Sequence, residues 1–183
     1  MNAPSYTPIQ FERDAPAAMV PEGQMVTLPA GTTGYLTQAL GGSFTVWVDG
    51  RLFRLAGEHA DAIGREPPPR PELPDDASDE DVEALVWAQL RQCFDPEIPV
   101  NIVDLGLIYR LEIHKDDKGE RRIEIDMTLT APGCGMGEFL VDDVRSSLLA
   151  IPSVTQVDVA LVFDPPWTQD MMSESARLET GMF

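Results

Sequence analysis

One cysteine in this chain is set up for chemistry by its neighbours. The stretch Thr130-Ala131-Pro132-Gly133-Cys134-Gly135-Met136-Gly137 follows an alternating strand pattern over 123–129 and precedes a helical pattern over 138–149. A cysteine at a glycine-rich helix start sits among free backbone N–H groups and the positive end of the helix dipole. Both favour thiolate over thiol. A thiolate is a nucleophile or a metal ligand. Nucleophilic acyl transfer needs a base within hydrogen-bond reach, usually histidine. The two histidines, His59 and His114, fall in another region and at the far end of a strand. The loop lacks the Gly-Lys-Ser/Thr ending of a phosphate cradle. No second cysteine stands two residues away, so a dithiol redox site is excluded. Three roles stay open for Cys134: a transient ligand for iron or a cluster, a sulfur acceptor, or a structural thiol.

A second stretch is dense in polar side chains that bond to backbone. Residues 95–109 read Asp-Pro-Glu-Ile-Pro-Val-Asn-Ile-Val-Asp-Leu-Gly-Leu-Ile-Tyr. Asp95, Glu97, Asn101 and Asp104 with two prolines fit a rigid turn held by Asx-type bonds. They equally fit a preorganised acidic wall beside a pocket. The other cysteine, Cys93, falls on the apolar face of a helix end and reads as a small buried hydrophobe. Two cysteines and two histidines, so dispersed, do not make a closed zinc site in one chain.

Composition narrows the function classes. The 183 residues carry a net charge of −18. Residues 1–78 hold five basic and ten acidic side chains; residues 79–183 hold eight and twenty-one. So negative a surface disfavours nucleic acid and gives no attraction to anionic membranes. No signal-peptide pattern and no bilayer-length apolar run occurs, so a cytoplasmic protein is expected. In that reducing compartment Cys93 and Cys134 stay unpaired.

The elements that must position these residues fall into two domains, 1–64 and 78–183, with a linker at 65–77. Residues 1–20, with three prolines, read as an irregular arm. From 24 to 57 the pattern is β, with Asp49-Gly50 as a two-residue hairpin turn, and a small barrel-like domain of about four strands is expected. Residues 65–77 hold five prolines and favour a stiff extended segment. Ser78 is an N-cap, with Asp79, Glu80 and Asp81 in the first turn. Its helix should end near Phe94, before Asp95-Pro96. Strands over 106–114 and 123–129 flank a charged hairpin loop. The helix after the glycine loop and a strand over 157–163 complete an α-β-β-α-β order. The class is α+β, with two helices on a three-stranded mixed sheet. The tail, with Trp167 and Met171-Met172, is expected to fold back over this domain.

The 95–109 stretch, Thr128-Leu129-Thr130, Gly133-Cys134-Gly135-Met136-Gly137 and the ending Asp164-Pro165-Pro166-Trp167-Thr168 together resemble a family of small α/β domains. That family is associated with maturation of iron–sulfur proteins, and the extra N-terminal β domain resembles its SufT-type members; the oxygenase subunit PaaD and the cytosolic iron–sulfur targeting factor are relatives. The resemblance covers about 79–183. It implies a non-enzymatic accessory factor that assists assembly or transfer of clusters to apo-proteins. It places the reactive cysteine at Cys134 and the acidic motif at Asp95 and Glu97. No tightly bound cofactor is implied, only transient iron or an iron–sulfur cluster, which Cys134 could share across a homodimer. The implied partners are assembly scaffolds or carriers and apo-protein clients, without nucleic acid or membrane. A metal-free adaptor is the competing reading, and a thiol-dependent enzyme a more distant one.

Overall fold

The alternating sequence around Asp49-Gly50 folds as the hairpin its turn residues dictate. In the computed structural model, β5 (Ser43–Val48) returns as β6 (Arg51–Ala56). Asp49 and Gly50 sit at φ 48° and 81°, the two positive values a tight primed turn requires. The structure describes residues 6–182 except 41, 96, 97, 132 and 134, and only the backbone at 40. Contacts divide the chain into two units: residues 1–69 with 134–139, and residues 70–133 with 140–183.

In the first unit the hairpin is the centre of a six-stranded antiparallel sheet. The other strands are β1 (Thr7–Gln10), β2 (Ala15–Val20), β3 (Met25–Leu28) and β4 (Thr33–Leu40), in the order β1-β4-β5-β6-β2-β3. The N-terminal arm is therefore strand rather than irregular. Its prolines are tolerated because Pro8 lies on the edge strand β1, and Pro16 lies where β2 pairs only with β3. The sheet is open: β1 and β3 are its edges, and no ladder joins them among the described residues, so the expected barrel-like closure is absent there. Leu36, Val46 and Phe53 lie opposite one another on three successive strands and are buried. With Phe11, Leu55 and the Ala62-Ile63 end of a 3-10 turn (Gly57–Ile63) they form the core of this unit.

The second unit opens with α1 (Asp79–Leu90). Ser78 caps it in a full capping box with Asp81. The helix ends at Leu90, one turn before Asp95-Pro96, and Arg91 to Phe94 form turns that carry the buried Cys93. The Cys93 thiol reaches Gln89 O at 3.8 Å and Ser147 Oγ at 3.6 Å, the surroundings of a packed small side chain. Strand β7 (Ile108–Lys115) pairs antiparallel with β8 (Arg121–Met127), and β8 pairs parallel with β9 (Val154–Leu161). Between them runs α2 (Gly137–Leu149). Ile123, Ile125 and Met127 of β8 are buried together with Val82, Val86 and Leu90 of α1 and Leu140, Val144 and Leu148 of α2. The opposite face of the sheet is charged. Strand β9 stops at Leu161 rather than 163, since β8 ends at Met127 and leaves it no partner beyond Val162. Phe163 is left 45% exposed. After a turn at Gln169–Met171, a short α3 (Glu174–Thr180) ends the described chain. Among the described residues no helix is long and apolar enough to cross a membrane.

Candidate functional site

Asp95 is drawn inside by the turn that follows α1. Phe94 bridges to Asn101, Asp95 N donates to Val100 O at 3.2 Å, and Ile102 N donates to Cys93 O at 2.9 Å. The side chain is 4% exposed. A carboxylate so placed needs donors. Ile98 N–H supplies one at 2.9 Å, and the Thr130 hydroxyl another at 3.4 Å. Thr130 is the first residue of the glycine-rich stretch, so the acidic turn and the start of the cysteine loop meet through this bond. Glu97 and Cys134 lie outside the described residues.

The rest of the turn is held by Asn101. Its amide oxygen accepts from Val103 N and Asp104 N, and its amide nitrogen donates to Asp104 Oδ2 at 2.7 Å. This is the Asx-bonded turn that residue types allowed. Asn101 and Asp104 thus spend their polar atoms on the turn itself, while Asp95 turns to the loop.

The tail clamps the same turn from its far side. Trp167 donates its indole N–H to Leu105 O at 2.7 Å. Ser173 N donates to Asp104 O at 2.8 Å. The Tyr109 hydroxyl donates to Pro165 O at 2.8 Å and lies 3.5 Å from the Met171 sulfur. Gly106 has φ 77°, and a Cβ there would stand 2.3 Å from Met171 O. Only glycine permits both that conformation and that approach. Met172 is buried, so the tail does fold back over this unit. The expected fold-back of the tail already pointed to Trp167, whereas Thr130, Tyr109 and Gly106 as positioning residues left no separate signal in the sequence.

The loop continues through Gly133 at φ 77°, with open space around a notional Cβ, to Gly135, which is exposed. Met136 is buried and α2 begins at Gly137. The first N–H groups of that helix have no intrahelical acceptors. Just upstream, the Thr128 hydroxyl oxygen is buried without a partner among the described residues.

The histidines have other roles. His59 Nδ1 lies 3.3 Å from Arg13 Nη2. His114 Nε2 lies 3.0 Å from Glu124 and 3.5 Å from Glu112. Those three residues bring ligand-type atoms within 4.8 Å of one another. Cations already occupy the group: Arg110 pairs with Glu112 at 2.7 Å, and Arg122 pairs with Glu124. His114 and then Arg122 hold the Glu124 carboxyl below its ordinary range. Arg110 does the same for Asp126 and is itself raised.

Comparison with known proteins places these features in a family context. A family model described as "Iron-sulfur cluster assembly protein" matches residues 83–159. The chain is 43% identical over 99 residues to a protein of Porphyromonas gingivalis named an Fe-S protein maturation auxiliary factor, covering 54% of this chain and 90% of that one. It is 43% identical over 88 residues to the Fe-S protein maturation auxiliary factor SufT of Staphylococcus aureus, covering 48% and 96%. With YitW of Bacillus subtilis, of the same description, it shares 36% over 104 residues, covering 57% and 98%.

Proposed function

Because the chain belongs to the iron–sulfur cluster assembly protein family, we propose that it is an accessory factor in the maturation of iron–sulfur proteins, with iron or a cluster as its cargo. The observation that carries this reading is the family match over 83–159, the stretch that holds Asp95, Glu97 and Cys134. Its partners are the assembly machinery and the apo-proteins it serves. Cys134 is the ligand to the cargo. This cysteine precedes α2 by three residues in the sequence, and a thiolate is the donor type that soft iron–sulfur chemistry selects. One thiolate per chain gives a weak, exchangeable hold, which suits transfer rather than storage; a homodimer would present two. Asp95 acts as a positioning residue, fixing the loop entrance through Thr130. Glu97 is assigned with Asp95 to the acidic motif on the basis of the sequence.

Anaerobic incubation with ferrous iron and sulfide tests the ligand role. Cluster absorbance in the wild type that is lost in Cys134→Ser is expected. Equal absorbance in the two proteins would sink direct ligation by Cys134, and no absorbance in the wild type would leave the metal-free adaptor. The accessory role is tested separately, by the activity of iron–sulfur enzymes in cells lacking the protein, with and without the wild-type chain restored.

A further inference from the structure

The face of the six-stranded sheet opposite its main core is mixed, with Thr45 and Arg54 on it, and it carries one row of exposed apolar side chains. Tyr35, Trp47 and Leu52 lie opposite one another on β4, β5 and β6, one register step from the buried row of Leu36, Val46 and Phe53. They therefore project from the other face. There they are 42%, 42% and 38% exposed, and Tyr6 extends the row at 58%. The rings form a ladder: Tyr6 to Tyr35 is 6.4 Å at 72°, and Tyr35 to Trp47 is 6.0 Å at 42°. They line a hollow of about 960 Å³ with Glu22 and Arg51 also in its wall. Neither charge has an ion-pair or side-chain hydrogen-bond partner among the described residues. A row of exposed aromatics of this size marks a contact surface.

We propose that this aromatic row is the seat for the proline-rich segment, residues 67–76, of a second copy of the chain. Three properties match. Polyproline II is a preformed extended helix of three residues per turn, and aromatic-lined grooves take proline segments of this form. The segment Pro67-Pro68-Pro69-Arg70-Pro71-Glu72-Leu73-Pro74-Asp75-Asp76 lies outside helix and strand, and all of it is exposed except the half-buried Pro71 and Leu73. Its charges complement the hollow: Arg70 for Glu22 and Glu72 for Arg51. Arg70 and Glu72 also lack ion-pair partners among the described residues.

The test is sedimentation of the full chain over a wide concentration range. Reversible dimerisation is expected, weakened about tenfold or more by Trp47→Ala, as for a central aromatic contact. Arg51→Glu should weaken it too, and the charge swap Arg51→Glu with Glu72→Arg should restore it. A synthetic peptide of residues 67–76 should dissociate the dimer and shift tryptophan emission in the wild type but not in Trp47→Ala. Circular dichroism checks the fold of each variant, and Arg51→Glu, at an exposed hairpin turn, serves if Trp47→Ala does not fold. A monomer at every concentration that also ignores the peptide overturns the proposal. So does a dimer indifferent to Arg51→Glu, or a charge swap that restores nothing.

Discussion

Asp95 shows how a buried carboxylate is held at the junction of a turn and a loop. Its two oxygens accept from the Ile98 N–H and the Thr130 hydroxyl while nearly all of its surface is withdrawn from water. Asp95→Ala leaves those donors without acceptors and should cost about 1 to 3 kcal/mol in urea unfolding. Asp95→Asn, which keeps an acceptor toward Ile98, should cost less. Thr128 makes the opposite case. Its hydroxyl is buried without a partner among the described residues, so Thr128→Val, of the same shape, should leave the unfolding midpoint unchanged or raise it.

At the scale of elements, the tail adds bonds from Trp167 and Ser173 to a turn that Asn101 already holds. Trp167→Phe keeps the ring and removes the donor to Leu105 O, a loss of about 1 kcal/mol in thermal or chemical unfolding. Gly106→Ala combines a left-handed backbone with a clash against Met171 O and should cost at least about 1 to 3 kcal/mol. The charged face of the three-stranded sheet contributes to the response to acid. Arg110 depresses the Asp126 carboxyl, and His114 with Arg122 depresses Glu124. A depressed folded-state value means that the unfolded chain binds the proton first as pH falls. The stabilisation is therefore complete above the ordinary values of 3.8 and 4.5 and is lost as pH drops through the lower folded ones. In a melting series from neutral to acid pH, Arg110→Gln should flatten that decline, because Asp126 loses its main partner.

For the whole molecule the dominant quantity is the net charge of −18. Self-repulsion of that size opposes compaction. Raising ionic strength from about 0.01 M to about 0.15 M shortens the screening length from about 30 Å to about 8 Å. The melting temperature should rise over that range; a fall would show that the attractive pairs outweigh the repulsion. The same acidity gives association with a basic partner a steep salt dependence, which separates electrostatic docking from the aromatic contact proposed for the first unit.

Residue order alone determined the local elements, because their signals are local. Ser78 with Asp81 specifies a helix start, Asp49-Gly50 a tight hairpin, and the period-two run of Ile123, Ile125 and Met127 a half-buried strand. The motif pattern also pointed to the right family. Tertiary structure decided what depends on partners distant in sequence. Pro8 and Pro16 look like strand breakers until the sheet order places them where no second neighbour needs their missing N–H groups. The polar 95–109 stretch, read from composition, was a rigid turn or an acidic wall. The fold makes Asn101 and Asp104 the turn and directs Asp95 to Thr130, thirty-five residues away. Trp167 became a clamp only when the chain brought it sixty-two residues back to Leu105. Hydrogen bonds of that span leave no periodicity in a sequence, since what fixes them is the packing of the elements between.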